Sequence, residues 1–214
     1  MPSTPHKVRQ AYDQWAGNYD TSPNPTRDLS LSVFRNYEAE LTGARVLEIG
    51  CGTGLNTAWM AELARKVTAC DHSEGMLEQA RKRVQAEHVD FHPIDITQHW
   101  PFDAVYDVVV DQLVLEHIFD LGHIYGEAKR LLVPGGRFMI TELHPFKQLN
   151  GSRARFVKEG EEEETPVPAF THMVSEYVDA GLSKDFRLLQ LREWADPEEK
   201  EAFPRLLTLV FERE

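Results

Sequence analysis

Three glycines, an acid and a few basic side chains are the residues of this 214-residue chain whose types and spacing could do chemistry. Gly50, Gly52 and Gly54 alternate in the stretch Arg45-Val-Leu-Glu-Ile-Gly-Cys-Gly-Thr-Gly54. Glycines at such a turn permit positive φ and let a ligand approach the backbone with no Cβ in the way. Asp71 lies twenty-one residues past Gly50, where an acid can accept hydrogen bonds from both hydroxyls of a ribose. Together they suit a nucleotide-type ligand, and two such ligands use this arrangement, NAD and S-adenosylmethionine. The NAD fingerprint is G-x-G-x-x-G; here its sixth position is Leu55, and the glycines read G-x-G-x-G after Glu48. Farther along, Arg153 and Arg155 stand in a basic stretch, Lys147 to Lys158, followed by Glu161 to Glu164. A guanidinium there can grip a carboxylate or phosphate, or pair with the nearby glutamates.

These residues need elements to position them. Val46, Leu47 and Ile49 form the short apolar run of a buried parallel strand, and Leu55, Trp59 and Leu63 follow at helical spacing. A ligand would then sit over a helix N-terminus at the carboxyl edge of a sheet. Val67 to Asp71 reads as the second strand, and Ser73 caps a helix faced by Met76, Leu77, Ala80 and Val84. The third strand, Val89 to Asp95, carries Pro93 and belongs at a sheet edge. Tyr106 to Asp111 is valine-rich and suits burial on both faces. Asp120 caps a helix through Leu121, Ile124, Tyr125, Ala128 and Leu131, which stops at Pro134-Gly-Gly136 before a strand of Phe138, Met139 and Ile140. Upstream, Thr4 and Pro5 open a helix bearing Val8, Ala11, Tyr12, Trp15 and Tyr19; Thr21 to Asp28 reads as a loop, and a second helix runs from about Leu29 to Leu41. Downstream, residues 146–169 lack a regular pattern and are expected to be a lid. Thr171 caps a last helix stopped by Gly181, and Phe186 to Trp194 and Arg205 to Glu212 form an antiparallel pair. The order predicts an α/β fold: a doubly wound, mostly parallel sheet of about seven strands with an antiparallel C-terminal strand pair, one domain over residues 1–214, and a helical cap at residues 1–42.

Composition narrows the function. A hydrophobic fraction of 42% supports a full core, and a net charge of −12 argues against gripping nucleic acid. Two cysteines, Cys51 and Cys70, make no disulfide framework and favour a reducing compartment. No apolar run reaches transmembrane length, and Met1-Pro-Ser-Thr-Pro-His is not a signal peptide. A cytoplasmic protein without a membrane partner is expected.

Glu48-Ile-Gly-Cys-Gly-Thr-Gly54 resembles motif I of the class I S-adenosylmethionine-dependent methyltransferases, a Rossmann-like family. Asp71, the Leu131-Leu-Val-Pro-Gly-Gly136 turn and the terminal strand pair agree with it. The general look is that of small-molecule methyltransferases of quinone biosynthesis and secondary metabolism. The resemblance implies S-adenosylmethionine as cofactor, leaving as S-adenosylhomocysteine. It implies a cradle of Glu48, Gly50, Cys51, Gly52 and Gly54, with Asp71 on the ribose. His72 and Met76 would lie near the adenine, although Met76 equally suits core packing, and Asp95 and Ile96 would lie near its amino group. Asp111, Gln112 and Leu113 would wall the methionine end. The segment Tyr12-Asp-Gln-Trp-Ala-Gly-Asn-Tyr-Asp20 resembles one that folds over cofactor and substrate, so Tyr19 is placed on the cofactor and Tyr12 and Trp15 on the substrate. His117 either acts on the substrate or holds the following turn.

The implied reaction is an in-line displacement in which an O, N or C nucleophile of a small-molecule acceptor takes the methyl group. A closed, dry pocket aligning the reactants supplies much of the rate. His144, leaving the fifth strand, and His172, opening the helix after the lid, are candidate bases, although a lone histidine is more often structural and some such enzymes use no base. No metal-ligand spacing is present. The chain is expected to be a monomer or homodimer. Two other readings stay open: an NAD-linked oxidoreductase, disfavoured by Leu55 and the terminal strands, and a non-catalytic partner protein with this fold.

Overall fold

The computed structural model describes residues 5–157, 163–196 and 203–214. Packing starts at β1 (Arg45–Ile49), whose side chains alternate between two apolar layers. Leu47 and Ile49 enter one cluster and Val46 the other. Burial on both faces is the condition of a central parallel strand. β2 (Lys66–Asp71) and β4 (Tyr106–Gln112) flank β1 in parallel, with Val46 opposite Val67 on one side and Val108 on the other. β3 (Val89–Pro93) closes one edge, where the missing N–H of Pro93 breaks no further ladder bond. β5 (Leu132–Leu143) runs parallel to β4, and β8 (Phe186–Trp194) and β9 (Leu206–Arg213) complete the sheet in antiparallel. The order is β3-β2-β1-β4-β5-β9-β8. It reverses between β1 and β4, and the loops leaving their carboxyl ends part there to open a crevice.

Helices cover both faces. On one, α2 (Pro25–Phe34), a 3₁₀ turn (Arg35–Tyr37), α3 (Glu38–Leu41), α4 (Leu55–Leu63) and α5 (Glu74–Arg83) contribute Phe34, Leu41, Met60 and Leu77. On the other, α6 (Leu121–Leu131) and α8 (Val174–Leu182) bury Tyr125 and Tyr177 with Phe138 and Phe211. The caps read from the sequence form: Ser73 Oγ accepts from the Met76 amide at 3.1 Å and Asp120 Oδ1 from that of His123 at 3.2 Å. α1 (Pro5–Trp15) packs on α5 and on β6 (Arg155–Val157).

Several expectations are corrected. The second helix starts at Pro25, inside the expected loop, because Asn24 Oδ1 accepts from the Arg27 amide at 3.0 Å and Pro25 fits the first turn. α2 and α3 pack in the core layer, while α1 lies across the cleft and the first turns of α2 border the neighbouring cavities. α4 buries Asn56, Thr57 and Met60, while Leu55, Trp59 and Leu63 are half-buried. Its inner face turns toward the buried carboxyl of Glu48, a partner that apolar periodicity does not register. The Pro-Gly-Gly turn lies within β5 as a bulge: Leu132 pairs with Tyr106, and Arg137 is next to pair, with Val108. The expected structureless stretch contains α7 (Pro145–Leu149) and a hairpin of β6 with β7 (Glu164–Pro166). α8 is opened not by Thr171 but by Glu176, whose carboxylate accepts from the Met173 amide at 2.7 Å. Thr4, Lys158, Glu161 and Glu162 lie outside the described residues. Among the described residues no helix is long and apolar enough to cross a membrane.

Gly181 does not stop its helix, which runs on to Leu182. It lets α8 lie against β9: a Cβ there would stand 2.4 Å from Phe211 Cε1. Gly181→Ala should therefore lower the urea midpoint by an amount equal to about 1–3 kcal/mol without changing the slope, the usual cost of overpacking.

Candidate active site

β1 ends in a loop of left-handed glycines, Gly50 (φ 67°), Gly52 (φ 54°) and Gly54 (φ 81°). A Cβ on Gly50 would stand 2.2 Å from Val114 Cγ2, whereas one on Gly52 would meet nothing within 4 Å. The loop is thus closed beneath Gly50 and open at Gly52; Gly54 instead packs against Ala80 of α5. Asp71, at the end of β2, ties the loop down. Its Oδ2 accepts from the Gly52 amide at 2.9 Å and its Oδ1 from that of Ser73 at 2.8 Å. Burial raises its pKa while the two amides lower it.

Above this floor lies a cleft holding about 780 Å³ of empty space, part of it open solvent. Gly50, Gly52, Asp71 and His72 line it, with Met76, Asp95 and Ile96 at the same end. Asp95 is held by Thr97, accepting from its amide at 3.0 Å and its hydroxyl at 2.6 Å. Gln112, Leu113 and His117 line the other end, and α1 lays Val8 and Tyr12 across the top. Gln112 Oε1 accepts from the Ser30 hydroxyl at 2.7 Å, while its buried Nε2 has no partner among the described residues. Leu113 is a non-glycine residue at φ 62°, a strained conformation of the kind found at ligand sites.

Period-two alternation sorts the acids here. Asp111 shares the face of Val109, away from Gln112, and lines no cavity found among the described residues. It is fully buried, and burial together with the charge and hydrogen bond of the neighbouring Glu142 pushes its carboxyl well up. It therefore lies in the core beside Glu142, apart from the cleft that the resemblance has it wall. Glu48 is also buried, accepting from the Thr57 hydroxyl at 2.5 Å. Burial pushes it up to about 8. It borders a smaller recess under the loop, together with Tyr19, Arg27, Cys51 and Gln112.

Glu142 is a residue the sequence reading missed. Its carboxylate accepts from the amides of Val114 and Leu115, each at 2.7 Å, and of Glu116 at 3.1 Å. It fixes the turn following Leu113, and burial pushes it up to about 7. The available signal was an acid in an otherwise apolar strand run.

Neither expected base faces the cleft. His144 is buried, accepting through Nδ1 from the Phe146 amide at 3.2 Å and donating through Nε2 to Glu193 at 2.9 Å. It caps α7 and anchors β8. His172 donates to the Ile118 carbonyl at 2.7 Å and latches the segment before α8. His117 does face the cleft. Its Nδ1 lies 2.7 Å from the Pro168 carbonyl and must donate there. Nε2 of the neutral ring then accepts the Tyr12 hydroxyl at 2.8 Å. Burial raises the Tyr12 hydroxyl well above its ordinary value and pushes Tyr19 up to about 12, so both stay protonated.

A second cavity, holding about 1090 Å³ of empty space by the same measure, part of it open solvent, adjoins the cleft across Tyr12, Tyr19 and Leu113, which border both. Trp15, Glu116, Arg153 and Arg155 line it. Of the candidate substrate residues, Tyr12, Trp15, Arg153 and Arg155 border this space, whereas His117 lines the first cleft; Trp15 is stacked on Phe156 of β6 at 5.9 Å between centroids.

Residues 47–140 match the family described as "Methyltransferase domain". A malonyl-acyl-carrier-protein O-methyltransferase of Serratia marcescens is 32% identical over 136 residues, 64% of this chain and 52% of that protein. A demethylmenaquinone methyltransferase of Clavibacter sepedonicus is 37% identical over 148 residues, 66% of this chain and 60% of that protein. The chain spans about half the length of the curated relatives it matches, between 29% and 62%. Among solved structures, a DhpI–SAH complex superposes with a TM-score of 0.75 at 20% identity, covering 97% of this chain and 95% of that one. The N-methyltransferase NodS of Bradyrhizobium japonicum WM9, in complex with S-adenosyl-l-homocysteine, gives 0.72 at 17% identity, covering 97% and 98%. At such identities these likenesses show the fold.

The buried acids impose a pH dependence. Glu48 and Glu142 have folded values of about 8 and 7 against an ordinary 4.5. The folded state therefore keeps protons that the unfolded state has lost. Their stabilisation is full below pH ~4.5 and is lost as pH rises through 7 to 8. Glu48→Gln should flatten the fall in unfolding free energy between about pH 5 and pH 8, measured by urea titration; an unchanged slope would clear Glu48 of this role.

Proposed function

We propose that this protein transfers a methyl group from S-adenosylmethionine to a small-molecule acceptor, since residues 47–140 match a methyltransferase-domain family and the whole chain shares the fold of the DhpI and NodS structures. The observation that carries this reading is the pair of cavities meeting at Tyr12, Tyr19 and Leu113, one floored by the glycine loop and Asp71, the other open for a second reactant. A transfer between two bound molecules needs that geometry.

The residues fit the cofactor. The space beside Met76 and Ile96, with Asp95 at hand, suits adenine. Asp71 keeps lone pairs beyond its two amide bonds for the ribose hydroxyls. The open face of Gly52 and the unpartnered Gln112 Nε2 suit a polar amino-acid end. Bound there, S-adenosylmethionine supplies a methyl group on a positively charged sulfur. Its transfer would join the methyl carbon to the acceptor atom and leave the carbon–sulfur electron pair on sulfur.

The chain's own part is to exclude water and take the acceptor's proton. α1 covers the cleft, and the Tyr12–His117 pair offers the proton route. As the acceptor approaches, its proton passes to the Tyr12 oxygen while the Tyr12 proton passes to His117 Nε2. Glu116, with Oε1 3.9 Å from that nitrogen, stabilises the resulting imidazolium. An oxygen acceptor is favoured, since relatives named for malonyl-acyl-carrier-protein and ubiquinone-biosynthesis substrates are O-methyltransferases.

Incubation with methyl-labelled S-adenosylmethionine and a panel of phenols, quinone precursors and small acids tests the reading. Label should pass to at least one acceptor; none passing to any would count against it. Asp71→Ala should weaken S-adenosylhomocysteine binding at least about tenfold. His117→Gln should slow turnover about a hundredfold while cofactor affinity stays within a few-fold. Full retained turnover would remove His117 from the mechanism.

A further inference from the structure

The charge of the second cavity runs against that of the chain. The net charge is −12, yet three guanidiniums, those of Arg153, Arg155 and Arg205, border this space, against the carboxylates of Glu116 and Glu164. Their partners sort them. Arg205 binds Asp196 and donates to Thr26 Oγ1 at 3.1 Å, so its charge is met. Arg155 donates to the Gly151 carbonyl at 2.7 Å and faces Glu164 at 3.4 Å, a long, exposed pair of little worth. Glu116 is held by the Gln148 side chain at 3.0 Å. Arg153 has no hydrogen-bond or ion-pair partner among the described residues.

Another wall is aromatic. Tyr12 and Trp15 are stacked with centroids 5.9 Å apart, and Tyr19 sits edge-on to Trp15 at 4.8 Å. Trp15 is buried between these rings and Phe156, so the wall is a fixed, preformed one, while a guanidinium presents its forked donors to a carboxylate or phosphate. Tyr12 also borders the cofactor cleft, so the reacting end belongs there and the anionic end away from it, at the hairpin.

With the second cavity read as the acceptor site of the methyl transfer, a premise on which the inference rests, we propose that the acceptor is a molecule carrying an oxyanion, carboxylate or phosphate. The anion lies at the end remote from the methylated atom, and Arg153 and Arg155 are the residues that select it. Pairing of both arginines with glutamates is the simpler arrangement, but among the described residues only Arg155 has such a partner.

The test is calorimetric titration of the protein saturated with S-adenosylhomocysteine, using 4-hydroxybenzoate, 4-hydroxyphenyl phosphate and the neutral 4-hydroxybenzamide. At least one anion should bind about tenfold or more tightly than the amide, and the tighter anion tells carboxylate from phosphate. The double variant Arg153→Gln/Arg155→Gln should lose that preference with unchanged S-adenosylhomocysteine affinity; Arg153 and Arg155 are exposed, so the fold should survive. Equal binding of the amide, no binding of either anion, or a preference that survives in the variant would overturn the proposal. Failure of S-adenosylhomocysteine itself to bind would instead bring down the underlying reading, and this proposal with it, before any acceptor probe is added.

Discussion

The carboxylate of Asp71 is the interaction on which the rest of the site depends. Because β1 and β2 are parallel neighbours, their carboxyl ends emerge side by side, and one short side chain spans the gap. One oxygen holds the Gly52 amide and the other holds Ser73, the cap of α5. A loop of three left-handed residues has little local preference for one shape, so an external restraint must choose it. Asp71 supplies that restraint and remains beside the open face of Gly52. The acid read from the sequence as a ligand group is therefore also a structural one.

Alternation along the central strands decides which polar groups the cleft receives. Gln112 and Asp111 are adjacent, yet only Gln112 reaches ligand space; Asp111 goes under the sheet toward Glu142. Glu142 then works from below, holding three amides of the turn that carries Leu113 and His117 into place. A carboxylate accepting several amide bonds in a buried setting is worth its desolvation only when all of them form. The strained Leu113 is consistent with a backbone held from both sides, by Glu142 beneath and the Thr141 carbonyl beside it.

Much of the fold was legible because its signals are local. The valines of β4, the caps Ser73 and Asp120, Pro93 at an edge and the glycine loop each state their own surroundings. Contacts made at a distance were not legible. His144 and His172 looked available because one leaves the fifth strand and the other was expected to open the helix after the lid, but Glu193 on β8 and the Ile118 carbonyl claim them. Gly181 read as a stop because its true reason, Phe211 of β9, lies thirty residues away. The hairpin of β6 and β7 escaped because its strands have three residues each, too short for periodicity, and it is ordered by Phe156 stacking on Trp15 of α1. His117 was recognised as near the substrate, but its link to Tyr12 spans 105 positions and only the fold brings it about.

The central claim is that the cleft over the glycine loop takes S-adenosylmethionine rather than a nicotinamide dinucleotide. Calorimetric titration of the purified protein with S-adenosylhomocysteine, with NADH under the same conditions, addresses it most directly. Micromolar, saturable binding of S-adenosylhomocysteine with no heat from NADH is the result this account requires. Binding of NADH in its place, or of neither molecule, would contradict it.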